Sequence, residues 1–160
     1  MQSFYAKFYE KVGEEKFKLI SIFFCIFGDV LVASYIYGRL NNYPVFVEIM
    51  KKMIATRDPS FDVGTIPANI MAEQFQLIIN VSLTMLASAV LFHLVMYAFY
   101  YANKSFARGY FKLLIWVGSV SFFFAGISLI SDNPLASIGF IVQSFFYSYN
   151  IMGIRYFAQK

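Results

Sequence analysis

Four apolar stretches, close to 19–38, 75–101, 111–131 and 135–157, constrain this chain more than any other feature. Each is long enough to cross roughly 30 Å of hydrocarbon as a helix, and a helix satisfies its own backbone N–H and C=O groups without water. Together they use more than half of the 160 residues, leaving little for a soluble domain. The expected architecture is an all-α polytopic membrane protein. It is a four-transmembrane-helix bundle with short interfacial helices, organised as one membrane domain over 1–160. A water-soluble bundle would carry a polar stripe on each helix. Here charge enters the stretches only as Asp29, as Lys112 at the start of the third and as Arg155 near the end of the fourth. A hydrophobic content of 59% and a mean hydropathy of +0.61 agree with a membrane class.

The formal net charge of +4 follows topology rather than nucleic-acid binding, for which there is no patterned support. With four spans, Lys7, Lys11, Lys16, Lys18, Lys104, Arg108, Lys112, Arg155 and Lys160 share one side against Glu10, Glu14 and Glu15. The other side carries Arg39, Lys51, Lys52 and Arg57 with five acidic residues. The positive-inside rule then places both termini in the cytoplasm. The native membrane is expected to be a bacterial inner membrane, with a eukaryotic organelle membrane as the alternative. Residues 32–35 offer no Ala-x-Ala cleavage site, so the first stretch is read as an uncleaved span.

Between the spans, periodicity marks shorter elements. Phe4, Phe8 and Val12 recur at helical spacing among lysines and glutamates, which predicts an interfacial helix interrupted by Gly13. In the external segment 44–57, Pro44 suits a first turn, and Phe46, Ile49, Met50, Met53 and Ile54 oppose Glu48, Lys51 and Lys52. RDPS reads as a turn and Asp62 to Gly64 as loose chain, before a cap at Thr65 and helix from about Pro67. SDNP makes the last two spans an antiparallel hairpin. The many tyrosines, Tyr97 and Tyr147 among them, are assigned to the membrane-interface belt.

Asp29 is the leading candidate functional residue. An aspartate at the centre of a span costs about 2.5 to 3.5 kcal/mol, so it needs a partner or a role. The roles considered are binding or relaying a proton or cation, and linking helices by a hydrogen bond. His93, the single histidine, carries an imidazole that could exchange a proton or pair with Asp29. Counting along the spans leaves the two about four residues, or roughly 6 Å, apart in depth. Gln143 and Asn150 complete a possible ion or proton path. Ser21, Cys25 and Gly28 give the first span a small and polar side, and Asn80, Thr84, Ser88, Ser121 and Ser128 are further candidate helix-packing groups.

No phosphate loop, His-x-x-x-His set, Cys-x-x-Cys pair or paired carboxylates occur, so catalytic, cofactor and metal residues are not assigned and an enzyme is disfavoured. The leading expectation is an oligomeric channel or ion-coupled transport protein for cations or protons. Four spans are few for a central path, which favours a homo-oligomer in contact with membrane lipids. The alternatives are a non-catalytic scaffold or accessory subunit bound to a second membrane protein, and a membrane-embedded lipid-modifying enzyme.

Overall fold

The computed structural model describes residues 4–60 and 63–159, and these form an all-α structure. Its six α-helices are α1 (Phe4–Val12), α2 (Glu14–Leu40), α3 (Tyr43–Arg57), α4 (Ala68–Tyr101), α5 (Ser105–Ser128) and α6 (Pro134–Ala158), with one 3-10 turn at Val63–Thr65. Asp62 and the Phe4 side chain, which entered the sequence expectations, lie outside the described set.

Three helices, α2, α4 and α5, are long and apolar enough to cross a membrane. The sequence pattern predicts four. The fourth, α6, has the necessary 25 residues, but Ser137, Gln143, Ser144 and Asn150 interrupt its apolar character. Phe23, Leu91, Leu113, Phe124 and Phe145 stand 62 to 66% exposed, an outward apolar shell unsuited to water.

Local chemistry sets the breaks between helices. Gly13, at φ +76°, sits where only glycine is unstrained, and its N–H closes α1 on Tyr9 O while its carbonyl receives Phe17 N–H to open α2. α4 runs for 34 residues without Gly or Pro. It stops at Asn103, whose left-handed φ of 62° allows the Asn103 and Lys104 N–H groups to reach back to Tyr100 O and Phe99 O. Asn42 and Asn133 cap α3 and α6, each ahead of a proline in the first turn. Helix α4 begins one residue after Pro67, whose carbonyl accepts Ile70 and Met71 N–H. Helix α5 spans 105–128 rather than 111–131, because helix formation continues into the polar residues that precede the apolar run.

The chain divides into two compact units: the residues up to Val32 with those from Val90 onward, and Ala33–Ala89. In the first, the helices meet in a ring. The α2 residues Phe17, Ser21, Gly28 and Leu31 face Gly153, Asn150, Gln143 and Gly139 of α6, the register of an antiparallel pair. α6 packs antiparallel on α5 through Ser137, whose hydroxyl donates to Gly126 O at 2.7 Å, and Ser144, whose hydroxyl donates to Ser119 O at 2.7 Å. α5 meets α4 where Phe111 stacks on Tyr100 at 3.9 Å. α4 returns to α2 at Asp29, and the turn that follows α4 does so through Asn103, which accepts from Lys18 Nζ at 2.7 Å. Phe17, Cys25, Tyr97, Phe111 and Ile115 fill the centre.

α1 is anchored differently from the pattern expected of it. Tyr9, not Phe8, is the buried residue, because its hydroxyl donates to Tyr149 O at 2.8 Å and its ring packs against Phe17, Tyr156 and Phe157. Phe8 is 47% exposed. Burial, reinforced by the neighbouring Tyr149 and Tyr5 phenols, pushes the Tyr9 pKa well above its ordinary value, so the hydroxyl remains a donor.

In the second unit, the rings of Tyr43 and Phe46 on α3 meet Phe75 on α4 at 5.2 and 5.3 Å. Lys52 reaches back one turn to Glu48 at 2.7 Å on the exposed side of α3, and the Lys52 hydrogen bond holds the Glu48 carboxyl below the usual range.

Candidate proton-relay site

Helical periodicity makes α2 present two adjacent faces. Ser21, Cys25 and Gly28, spaced four and three residues apart, point to α6. Asp29, one residue further and about 100° around the helix, points to α4 instead. On α4, His93 and Tyr97 are one turn apart and so address the same carboxylate. His93 Nδ1 lies 2.7 Å from Asp29 Oδ1, and the Tyr97 hydroxyl donates to Asp29 Oδ2 at 2.8 Å.

Both carboxylate oxygens are therefore engaged, at a place where the Asp29 and His93 side chains are only 11% and 23% exposed. The depth offset counted along the spans does not separate the two residues. Apolar run ends are poor markers of depth in α4, which extends 34 residues and begins seven residues before its apolar core. Around the triad, Phe111 meets the Tyr97 ring edge-on at 6.0 Å, and Tyr110 lies 6.1 Å from the imidazole.

An ionised Asp29 requires His93 to donate through Nδ1, which leaves Nε2 as the lone-pair nitrogen. No described side chain bonds to Nε2. A proton gained there creates a cation facing a carboxylate 2.7 Å away.

On the other face of α2, Gln143 and Asn150 are fully buried. Gln143 Nε2 donates to Phe24 O at 2.7 Å, and Asn150 Nδ2 donates to Ser21 O at 3.4 Å. Their carbonyl oxygens, with the Ser21 hydroxyl, are buried without a hydrogen-bond partner among the described residues. Tyr147 stands between them, its hydroxyl beside Cys25 and Gln143. Gly28 makes room for it. A Cβ at that position would lie 2.6 Å from both Gln143 Nε2 and the Tyr147 hydroxyl.

Of the sequence-predicted residues, Asp29 meets His93, and Ser21, Cys25 and Gly28 meet α6 alongside Gln143 and Asn150. Asn80, Thr84, Ser88, Ser121 and Ser128 are exposed. Thr84, Ser88 and Ser128 donate within their own helices, to Asn80 O, Thr84 O and Ala125 O. The polar seam on α5 is carried by Ser119, whose hydroxyl lies 3.1 Å from that of Ser148. Sequence reasoning assigned Tyr97 and Tyr147 to the interface belt, yet both are 2% exposed. Their spacing held the signal: Tyr97 follows His93 by four residues, and Tyr147 follows Gln143 by four. Among the described residues no three His, Cys, Asp or Glu side chains converge on a metal-binding position. No protein-family model, no curated protein and no solved structure matches the chain.

Proposed function

We propose that this chain is a multi-pass membrane transport protein that relays protons, with Asp29 and His93 as the proton-exchanging pair. The observation that carries the reading is the closed contact of Asp29 with His93 and Tyr97 inside an apolar helical unit. A buried ionisable group is costly in such surroundings, and a carboxylate–imidazole pair with one bare ring nitrogen is suited to taking up and releasing a proton. Tight aromatic filling by Phe17, Tyr97 and Phe111 favours proton transfer between side chains over passage of a hydrated cation.

In this proposal α2, α4, α5 and α6 all cross the membrane, with both termini in the cytoplasm. In α6, Gln143 and Asn150 face inward. These two amides supply secondary contacts to a proton or small cation. Asn80 turns outward within the long apolar stretch of α4, which supports a homo-oligomer whose second copy satisfies its amide.

The test is flux through proteoliposomes of purified wild-type chain or Asp29→Asn, under separate proton, sodium, potassium and calcium gradients. Proton flux that disappears in the variant, at equal incorporation, supports the relay. Flux of another cation makes the path an ion path. Absence of wild-type flux in every gradient overturns transport and favours a scaffold bound to a second membrane protein.

A further inference from the structure

Lys112, two turns into α5, borders two adjoining cavities in the first unit, well separated in sequence register from Asp29. One, of about 100 Å³, is lined by Phe17, Lys18, Arg108, Lys112 and Phe157. The other, of about 290 Å³, is lined by Lys112, Trp116, Ile151 and Arg155. Ile154 and Ala158 form part of both walls, so the lysine stands between two halves of one amphipathic groove.

The charges there are unbalanced. Among the described residues Glu14 is the one carboxylate on either lining, and Lys18 already holds it at 2.6 Å while donating to Asn103 Oδ1. Among the described residues Arg108 bonds only to the Asn103 carbonyl, at 3.2 Å. Lys112 and Arg155 face no carboxylate among the described residues, and Arg155 lies 5.4 Å over the Trp116 ring. Three cations are thus left for an external anion. Below them the walls are apolar, through Ile115, Trp116, Ile151 and Ile154. A soluble phosphate would use the cations and leave those walls idle, whereas a phospholipid uses both.

We infer that this groove binds an anionic phospholipid, its phosphate held by Lys112 and Arg108 and its acyl chain laid along Trp116, Ile151 and Ile154. Arginine and lysine suit the two parts of the task, Arg108 as a fork for phosphate oxygens and Lys112 as a mobile point charge.

Trp116 is the single tryptophan, so its fluorescence reports on this groove alone. The full chain is reconstituted in phosphatidylcholine vesicles in which a fixed fraction of lipid is replaced by acyl-brominated phosphatidylglycerol or by acyl-brominated phosphatidylcholine. The inference predicts stronger quenching by the brominated phosphatidylglycerol. Its relative affinity should fall roughly fivefold in Lys112→Gln and again in Arg108→Gln, since each interfacial cation contributes about that factor. Lys112→Arg should retain the preference, and Lys51→Gln, on α3, should leave it unchanged. Equal quenching by both brominated lipids in the wild type overturns the proposal. So does a preference that survives both neutralisations. If millimolar inorganic phosphate changes Trp116 emission while the two brominated lipids quench alike, the groove is a site for free phosphate and the lipid assignment fails.

Discussion

Asp29 and His93 are 64 residues apart in the chain and 2.7 Å apart in the fold. Each stands within the apolar stretch of a long helix. Tyr97 completes the contact from the next turn of the same helix, so the carboxylate is fixed from two directions.

Tyr97→Phe removes the donor to Asp29 Oδ2 while keeping the ring against Phe111. A buried carboxylate oxygen left without its partner costs about 1 to 3 kcal/mol. The variant should unfold earlier in a detergent denaturation series by that amount, and the pH dependence of any proton flux should change with it. An unchanged stability and an unchanged pH profile would mean that the phenol only fills space.

Glycine replacements should divide by position. Gly118→Ala drives a methyl into the Tyr147 ring, and overpacking of this kind costs about 1 to 3 kcal/mol. Gly109→Ala, on the same helix with nothing near its added methyl, should instead stabilise by about 0.5 to 1 kcal/mol. Both are read from the same unfolding series, and equal effects would contradict the packing described for α5 and α6.

Gln143→Met should leave stability within about 1 kcal/mol of wild type, because losing the bonds to Phe24 O and the Tyr147 hydroxyl is offset by removing Oε1, which is buried without a partner among the described residues. If Gln143 serves the proton path, flux falls while unfolding barely moves. A large loss of stability with flux per folded protein intact would make the amide a packing group.

Tyr9→Phe should loosen α1 from α6. Loss of one hydrogen bond of about 1 kcal/mol lowers the amide-exchange protection of α1 roughly fivefold. Because burial raises the Tyr9 pKa in the folded state, its contribution is complete below the unfolded value near pH 10. It declines as pH rises from there through the folded value. Wild-type α1 should therefore lose protection, relative to the variant, only in strongly alkaline solution.

Much of the fold was legible because apolar run length reports helices directly. Pro44, Gly13 and the SDNP turn also marked their breaks. The polar face of α6 was less legible. Gln143, Tyr147 and Asn150 lower the hydropathy of α6 because they face α2, and a linear average cannot separate inward polarity from a failed span. Asp29 and His93 stood out as costly residues. Their contact depended on register between two helices joined through 27 residues, from Asn41 to Pro67, which no local pattern specifies. Tyr97 and Tyr147 were misassigned for a related reason: a tyrosine near the end of an apolar run looks the same whether it meets lipid headgroups or a buried acceptor. The Thr84 and Ser88 hydroxyls looked like interhelical links but bond their own helix, a choice that sequence spacing leaves open.

The most direct measurement is nitrogen-15 NMR of His93 in lipid, where the only histidine of the chain gives one imidazole to read. At neutral pH the relay predicts Nδ1 protonated and Nε2 bare, with Nε2 gaining its proton over the pH range in which flux changes. In Asp29→Asn the fixed tautomer should be lost, with protons distributed over both nitrogens. An imidazole that keeps one protonation state throughout that range, or that is indifferent to Asp29→Asn, would contradict the relay.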